Sequence, residues 1–277
     1  MTAGQEGASR RTGGPDRDAP PLRTGLEVLP SVDALMHAAA ELWVAAAATA
    51  IGTSGRFAVG LAGGSTPQHR YELLATEPYA SGVDWSRVHV FWGDERCVPP
   101  DDPASNYRMT RETLLAHVPI PAGNIHRIRG EDEPVAAAAA YERDLRETFA
   151  TPDGPPRLSP GSRFDFVLLG LGVDGHTASL FPGTATLHEP ARWVKAVHPA
   201  TVPTSRVTLT PAVINAAAEV AFLVSGRAKA ATLRRVREGP YQPDALPAQI
   251  VAPRAGRLRW LVDVDAAADL ESHRKDR

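Results

Sequence analysis

The sequence contains one cysteine, little net charge and no long hydrophobic run. Because Cys97 has no second cysteine to pair with, no disulfide can form within the chain, which agrees with a reducing compartment. The 30 basic and 32 acidic residues leave a net charge of −2, so a nucleic-acid or membrane partner is not expected. No apolar run approaches the ~18 to 20 residues that span a bilayer, and the N-terminus lacks the apolar core of a signal peptide. These absences predict a cytoplasmic protein.

Several well-known catalytic motifs are also missing. No Gly-Lys-Ser/Thr follows a glycine-rich loop at the Walker A spacing, so ATP is not implied. No Gly-x-Ser-x-Gly turn is present to hold a serine nucleophile. The nine histidines are scattered, and neither His-Glu-x-x-His nor Cys-x-x-Cys occurs, which argues against a metal site. The sequence therefore predicts no metal and no cofactor.

Length and composition predict one folded domain between two polar tails. Residues 1–24 are rich in Gly, Arg, Asp and Pro and have almost no large apolar side chains, so we expect a disordered N-terminal tail. Residues 25–267 carry the apolar patterns of a single α/β domain, and 268–277 are expected to form a polar C-terminal tail. The sequence does not define an assembly, and a monomer or a small homo-oligomer is expected.

Helical and strand patterns alternate along this domain. Alanine and larger apolar residues recur at helical spacing over 31–51 and predict the first helix. Short apolar runs predict strands at 56–61, 88–92, 164–169, 220–224 and 257–262. Further helices are predicted through Leu114 and Leu115 after a Ser105 cap, over 136–149, and through Lys229 and Leu233. The alternation favours a mostly parallel sheet with helices on both faces and with ligands at the carboxyl ends of its strands.

A glycine-rich turn follows the first predicted core strand. Its residues are Gly63, Gly64, Ser65, Thr66 and Pro67, with Thr66 a suitable helix N-cap and Pro67 suited to the first helical position. Free backbone N–H groups, two hydroxyls and the helix dipole would together form a phosphate cradle. The alternative is a strand-to-helix turn with no ligand.

Charged residues follow the next core strand. Acids at the end of a buried strand are usually paired or functional, and we predict functional roles for Asp94 and Arg96. Glu95 is expected to pair with a neighbouring cation. Cys97 is interpreted as a small filler, since no nearby feature clearly lowers its pKa.

The strand over 164–169 ends in the most informative turn of the chain. Its glycines, Gly170, Gly172 and Gly175, match the Gly-x-Gly-x-x-Gly pattern of dinucleotide sites. However, Pro182 and Gly183 arrive too soon for a crossover helix, which makes an NAD site improbable. We instead predict a catalytic corner, in which a glycine-rich turn carries Asp174 and His176 and is followed by a short helix that Pro182 closes. His176 would act as a general base and Asp174 would fix its tautomer or bind a substrate hydroxyl, the alternative being a structural turn.

Two further cations are candidates for anion binding. Arg206 lies just before a predicted helix start at Thr210 and Pro211, and Lys229 lies near the start of another helix. Each, taken alone, is more often a solvated surface charge. The phosphate cradle favours a functional role for both.

Five motifs in this order resemble the 6-phosphogluconolactonase family, over about residues 28–264. They are Gly63 to Pro67, Trp92 to Arg96 with Ser105-Asn106-Tyr107 downstream, Gly170 to Gly183, Arg206-Val207-Thr208, and Gly226-Arg227-Ala228-Lys229. The resemblance implies a Rossmann-like α/β fold shared with glucosamine-6-phosphate deaminase. It also implies hydrolysis of a phosphosugar lactone, 6-phospho-D-glucono-1,5-lactone, in the oxidative pentose phosphate pathway without metal or nucleotide.

The same resemblance suggests a role for each candidate residue. The substrate phosphate would lie on Gly63, Gly64, Ser65 and Thr66, with Arg206 and Lys229 as counter-charges. His176 would activate water, Arg96 would stabilise the oxyanion or carboxylate, and Asp94 and Asp174 would position hydroxyls or the imidazole.

Two other functions remain alternatives. Glucosamine-6-phosphate deaminases carry Phe-Asn-Glu-Pro-Gly where this chain has Leu180-Phe181-Pro182-Gly183, so the glutamate that partners the deaminase histidine is missing. A non-catalytic sugar-phosphate sensor is the second alternative. Such regulators usually carry a DNA-binding domain, and we do not expect one in the short N-terminal tail.

Overall fold

A computed structural model describes residues 24–150, 158–159, 161–200 and 202–271, apart from the side chains of Thr24 and residues 65–68. Its strands are β1 (Thr24–Leu29), β2 (Phe57–Leu61), β3 (Val88–Trp92), β4 (Asp94–Arg96), β5 (Ile125–His126), β6 (Phe166–Leu169), β7 (Val194–Val197), β8 (Arg206–Leu209), β9 (Glu219–Val224) and β10 (Arg257–Asp263). The helices are α1 (Val32–Ser54), α2 (Ser65–Leu74), α3 (Asn106–Thr110), α4 (Pro134–Thr148), α5 (Pro211–Ile214) and α6 (Ala230–Glu238).

Seven parallel strands form the central sheet, in the order β1-β10-β9-β6-β2-β3-β5. Every residue of β2, β6 and β9 is buried, as expected for strands covered on both faces by other elements. Parallel strands bring their carboxyl ends to one edge, and the turns after β2, β6 and β9 lie there. The mostly parallel sheet predicted from the sequence is confirmed.

A second, three-stranded antiparallel sheet, β4-β8-β7, was not predicted. The chain passes between the sheets at Gly93, whose N–H donates to Leu61 O in the large sheet and whose carbonyl accepts from Leu209 N in the small one. Strands of three or four residues carry too little alternation to be recognised from sequence. This small sheet nevertheless aligns Asp94 and Arg96 with β8.

Most predicted helices are present. Ser31 caps α1 by accepting from Ala34 N–H, and Ser105 caps α3 by accepting from Arg108 N–H. Helix α1 is long and apolar enough to cross a membrane, with a mean hydropathy of 1.5 over its most apolar window. A membrane-spanning segment was not expected from the sequence. Its Leu35 and Trp43 are fully buried, and the helix contacts β2 and β10. One side of α1 therefore covers the sheet.

The predicted boundaries need correction at three places. Strand β1 was not predicted, and it begins at Thr24, which had been assigned to the N-terminal tail; residues 1–23 lie outside the described part of the chain. Leu270 lies within the segment predicted as a polar tail, but it is fully buried in the core. The folded domain therefore extends beyond residue 267, through the turns that follow β10. Helix α2 begins at Ser65 rather than after Thr66, since Gly64, with φ 103°, turns the chain earlier.

The core contains a buried guanidinium whose described contacts are aromatic rings. Arg70, on α2, is fully buried, and its guanidinium nitrogens have no hydrogen-bond partner within the part of the chain described above. The group lies 4.7 Å from the Trp43 ring centroid and 4.8 Å from that of Tyr71, so its contacts are aromatic faces. Burial lowers the pKa of Arg70 despite the opposing influence of Tyr71.

Candidate active site

A cleft of about 400 Å³ opens at the carboxyl edge of the large sheet. Seven of the residues predicted from the sequence line it: Gly63, Gly64, Asp94, Arg96, His176, Arg206 and Lys229. They come from the turns after β2, β6 and β9 and from β4 and β8 of the small sheet. Segments that are far apart in the sequence thus meet where a parallel sheet is expected to bind its ligand.

His176 and Asp174 form a close pair beside this cleft. Asp174 Oδ1 lies 2.5 Å from His176 Nδ1 and also accepts the His176 backbone N–H at 3.1 Å. Burial acts to raise the pKa of Asp174, but the hydrogen bond from the His176 backbone and the nearby imidazole outweigh it, so the pKa is lowered. An ionised Asp174 requires the proton on Nδ1 of a neutral imidazole, which leaves Nε2 free to accept a proton.

The turn that carries this pair depends on glycine. A Cβ on Gly172 would lie 2.1 Å from His176 Nδ1 and 2.6 Å from Asp174 Oδ1, so only glycine lets the pair approach. Gly172 N–H donates to His176 O at 2.8 Å, which closes the turn. Gly175 has φ +87°, a conformation that other residues rarely adopt.

The short helix predicted after His176 is absent. Residues Thr177 and Leu180 instead form an isolated antiparallel bridge around a tight turn, in which Ala178 has φ +46°. A left-handed residue cannot continue a right-handed helix, so Pro182 closes no helix here. The crossover helix that a dinucleotide site needs after Gly175 is likewise not found.

Asp94 is held by residues to which the sequence analysis gave no role. Ser179, which is buried, donates from Oγ to Asp94 Oδ2 at 2.6 Å, and its backbone N–H donates to Thr208 Oγ1 at 3.2 Å. Asn106, also buried, donates from Nδ2 to the Asp94 carbonyl at 2.9 Å. Ser179 thereby links the His176 turn to β4, a contact across 85 residues that no local sequence pattern signals.

Glu95 has a structural position. The prediction that it pairs with a cation is wrong, because its carboxylate accepts the backbone N–H groups of Asn106 at 2.7 Å and Tyr107 at 2.8 Å. It also accepts the Ser105 hydroxyl at 3.0 Å. Burial raises the pKa of Glu95, and these N–H donors oppose the rise. A carboxylate at the first turn of α3 satisfies N–H groups that have no partner within the helix.

Three cations face the cleft without an ion pair. Arg96 and Arg206 are directly opposite in the β4–β8 ladder, and Lys229 lies after β9. Within the described ranges, none of the three has a carboxylate within the 4.0 Å of an ion pair. Arg96 donates to Ala104 O, and Arg206 donates to the carbonyls of Thr204 and Ser205, which orients both guanidinium groups. Burial lowers the pKa of Arg206, and the charge of Arg96 lowers it further.

The predicted phosphate cradle adjoins these cations. Gly63 and Gly64 line the cleft directly before α2, so the first N–H groups of α2 lie at its edge. A Cβ on Gly63 would lie 1.9 Å from Asn106 Oδ1, which explains the glycine at that position. The side chains of Ser65 and Thr66 are outside the described part of the structure, and their contact with phosphate stays a prediction.

An aromatic ring covers the catalytic histidine candidate. Phe181, within the segment where deaminases carry Phe-Asn-Glu-Pro-Gly, is buried with its ring centroid 4.7 Å from that of His176. No carboxylate other than Asp174 is recorded within ion-pair distance of His176 among the described residues. The site therefore offers an imidazole held by one carboxylate, and a wall of cations. Those residues also include no group of three or more His, Cys, Asp or Glu side chains that could hold a metal ion.

Known proteins are similar to this sequence over nearly its whole length. Residues 30–260 match the family described as glucosamine-6-phosphate isomerases/6-phosphogluconolactonase. A 6-phosphogluconolactonase of Nostoc sp. is 41% identical over 251 residues, which cover 90% of this chain and 99% of the relative. Another from Mycobacterium bovis is 37% identical over 257 residues, which cover 91% of this chain and 100% of the relative.

Solved structures agree with the sequence relatives. The 6-phosphogluconolactonase from Trypanosoma cruzi has a TM-score of 0.79 at 28% identity, covering 92% of this chain and 100% of that one. A monomeric glucosamine-6-phosphate deaminase has a TM-score of 0.73 at 21% identity, covering 88% and 99%, and shows the shared fold alone. The deaminase-like α/β fold expected from the sequence is confirmed. The chain belongs to the glucosamine-6-phosphate isomerase/6-phosphogluconolactonase family.

Proposed function

We propose that the chain hydrolyses 6-phospho-D-glucono-1,5-lactone to 6-phospho-D-gluconate, a step of the oxidative pentose phosphate pathway. The observation that carries this proposal is the His176–Asp174 pair, at 2.5 Å, beside a cleft lined by three cations that form no ion pair with the residues described. A lactone ester needs a base for water and an anion-binding wall for its phosphate and its developing oxyanion. Family membership supports the same activity.

Phosphate binding would fix the substrate. The phosphate would lie at the N-terminus of α2 against Gly63 and Gly64, with Arg206 and Lys229 as counter-charges. Binding a remote, non-reacting group orients the lactone carbonyl towards His176 and Arg96. Lys229 suits this role because no carboxylate lies within ion-pair distance of it among the described side chains. Burial lowers the pKa of Lys229, and the negative charge of Asp174 opposes that fall.

The chemistry would then proceed in two proton transfers. His176 Nε2 accepts a proton from water as the water oxygen forms a bond to the lactone carbonyl carbon, and Arg96 stabilises the resulting oxyanion. When the tetrahedral intermediate collapses, the bond between that carbon and the ring oxygen breaks. The imidazolium returns its proton to the departing oxygen, which becomes a hydroxyl, and the new carboxylic acid ionises into solvent. Asp174 and Asp94 hold the imidazole and the substrate hydroxyls.

The assay for this function uses two substrates. Purified protein is mixed with freshly prepared 6-phosphogluconolactone, with correction for spontaneous opening, and separately with glucosamine 6-phosphate. We expect acceleration of lactone opening only. Turnover of the amino sugar would identify a deaminase, and no turnover of either substrate would overturn the proposed hydrolysis. A cytoplasmic location and a monomer or small homo-oligomer stay predictions.

Removing either phosphate counter-charge is expected to weaken substrate binding. Lys229→Ala or Arg206→Ala should raise KM for the lactone by about 10-fold or more, since a hydrogen bond to a charged group contributes about 1.5–3 kcal/mol. The kcat should change less, because neither cation touches the reacting carbonyl. Steady-state kinetics measure both. Arg227→Ala is the control, since the exposed Arg227 pairs with Asp269 at 3.0 Å outside the cleft; an unchanged KM in both test variants would contradict the phosphate assignment.

A further inference from the structure

A second cleft, of about 630 Å³, lies at the opposite edge of the large sheet. We call it the basal cleft and define it by six charged residues: Arg56, Arg163, Asp165, Glu219, Arg257 and Arg259. These lie at or near the amino ends of β2, β6, β9 and β10, whereas the catalytic cleft lies at the carboxyl ends. A strand of five or six residues is roughly 17–20 Å long, so the two clefts are separate sites.

The basal cleft has an excess of positive charge. Among the lining residues that the structure describes, four guanidinium groups face two carboxylates, which leaves a formal charge of two in excess. Buried Glu219 is shared by Arg257, at 3.1 Å, and by Arg259. Those two arginines are therefore held by one carboxylate and form the fixed part of the cleft.

Arg56 and Arg163 are different, because neither has a carboxylate within 4.0 Å among the described residues. Arg56 donates to Thr148 O at 2.7 Å and only weakly to Gly161 O at 3.5 Å. Both recorded contacts of Arg163 are long, at 3.3 Å to Ala216 O and 3.4 Å to Ala255 O. Each guanidinium has five N–H donors, so both retain donors for a ligand.

Asp165 does not neutralise these two arginines. Its carboxylate accepts the Ala58 backbone N–H at 2.8 Å, and no ion pair with either guanidinium is recorded in the described ranges. Burial raises the pKa of Asp165, although Arg56 and Arg163 oppose the rise from a distance. The facing side of the cleft is formed by α1, which presents apolar side chains such as Leu42 and Ala46 beside the hydroxyl groups of Thr49 and Thr53. An anionic group with an apolar or neutral body complements such a site.

We propose that the basal cleft binds a phosphomonoester, whose dianionic phosphate lies between Arg56 and Arg163 and whose body packs against α1. Planar guanidinium groups bind phosphate oxygens in a bidentate way, and a dianion matches the two excess charges. The volume lies within the range of small-molecule sites. This site is distinct from the proposed catalytic phosphate site and does not depend on it.

Binding stoichiometry tests the proposal. Equilibrium dialysis with radiolabelled inorganic phosphate at low ionic strength should give two phosphates per wild-type chain. The Arg163→Met variant should bind one phosphate per chain, because its affinity for phosphate at the basal cleft falls by about 10-fold or more. Its KM for the lactone should be unchanged. The double variant Arg206→Met with Lys229→Met should also bind one, at the basal cleft. Arg143→Met, an exposed arginine on α4, is the control and should bind two.

Two results would overturn the proposal. One is a single phosphate per wild-type chain that disappears in the Arg206 and Lys229 double variant. The other is two phosphates per chain with unchanged affinities in Arg163→Met and also in Arg56→Met. Thermal unfolding of each variant, compared with wild type, shows that a lost site does not reflect a lost fold.

Discussion

Replacing His176 by alanine is expected to lower kcat/KM for the phosphorylated lactone by about 100-fold or more, which is the usual contribution of a positioned general base. Asp174 Oδ1 lies 2.5 Å from His176 Nδ1, so in the proposed mechanism Nε2 would accept the proton from water. Without this acceptor, water must attack unassisted, while Arg206 and Lys229 would still bind the phosphate. The loss should therefore appear in kcat, with KM little changed.

A matched pair elsewhere in the chain supplies the control. His188 Nε2 lies 2.8 Å from Asp244 Oδ1, and both side chains are about two-thirds exposed, outside the catalytic cleft. His188→Ala should retain wild-type kinetics. Near wild-type turnover by His176→Ala, with unfolding temperature unchanged, would remove His176 from the role of base.

Replacing Gly172 by alanine should cause a loss of similar size without removing any functional group. The added Cβ would lie 2.1 Å from His176 Nδ1, so the imidazole and Asp174 must separate or the turn must open. Misplacing a catalytic group by about 1 Å can cost 100-fold in rate. We expect about a 100-fold lower kcat, measured by the same lactone assay.

Gly170, in the same turn, is the control for this substitution. A Cβ on Gly170 meets no atom within 4 Å, and its φ is not positive, so Gly170→Ala should change kcat by less than about threefold. Equal losses in both variants would show that the turn tolerates no side chain anywhere. Such a result would remove the specific explanation based on the His176–Asp174 pair.

The sequence predicts the large sheet well because long apolar runs and helical periodicity are local signals. Strands such as Phe57–Leu61 and Val88–Trp92 are buried along nearly their whole length and leave a continuous apolar pattern. The position of His176 at a strand end is local information of the same kind. The family resemblance added the expected neighbours of that histidine, and the structure brings most of them to one cleft.

The remaining features depend on contacts between distant segments. The pairing of Arg96 with Arg206, and the hydrogen bond from Ser179 to Asp94, join residues 110 and 85 positions apart. No periodicity within either segment encodes such a contact. The turn after His176 was mistaken for a helix because Ala178 adopts a left-handed conformation that an alanine rarely shows. Tertiary contacts rather than local preference decide these positions.

The family contains two chemistries, and the surroundings of the histidine separate them. A deaminase must move more protons than a lactonase, and its histidine has a glutamate partner within the corresponding segment. Here Phe181 packs on His176, with ring centroids 4.7 Å apart. Among the described residues, no carboxylate other than Asp174 lies within ion-pair distance of this ring, so the deaminase glutamate has no counterpart beside it. The structure thus supports a simpler acid–base requirement, that of ester opening.

The buried guanidinium of Arg70, which has no hydrogen-bond partner among the described residues, has a consequence for how this protein can change over evolution. Taking a charge out of water costs free energy, and replacing even a buried ion pair by apolar residues of similar volume is often neutral or stabilising by about 1–4 kcal/mol. Free energies of unfolding are only ~5–15 kcal/mol, so a gain of that size at Arg70 would be a large fraction of the total stability. A lineage that exchanged Arg70 for methionine would gain tolerance to destabilising substitutions elsewhere, including those that reshape the catalytic cleft.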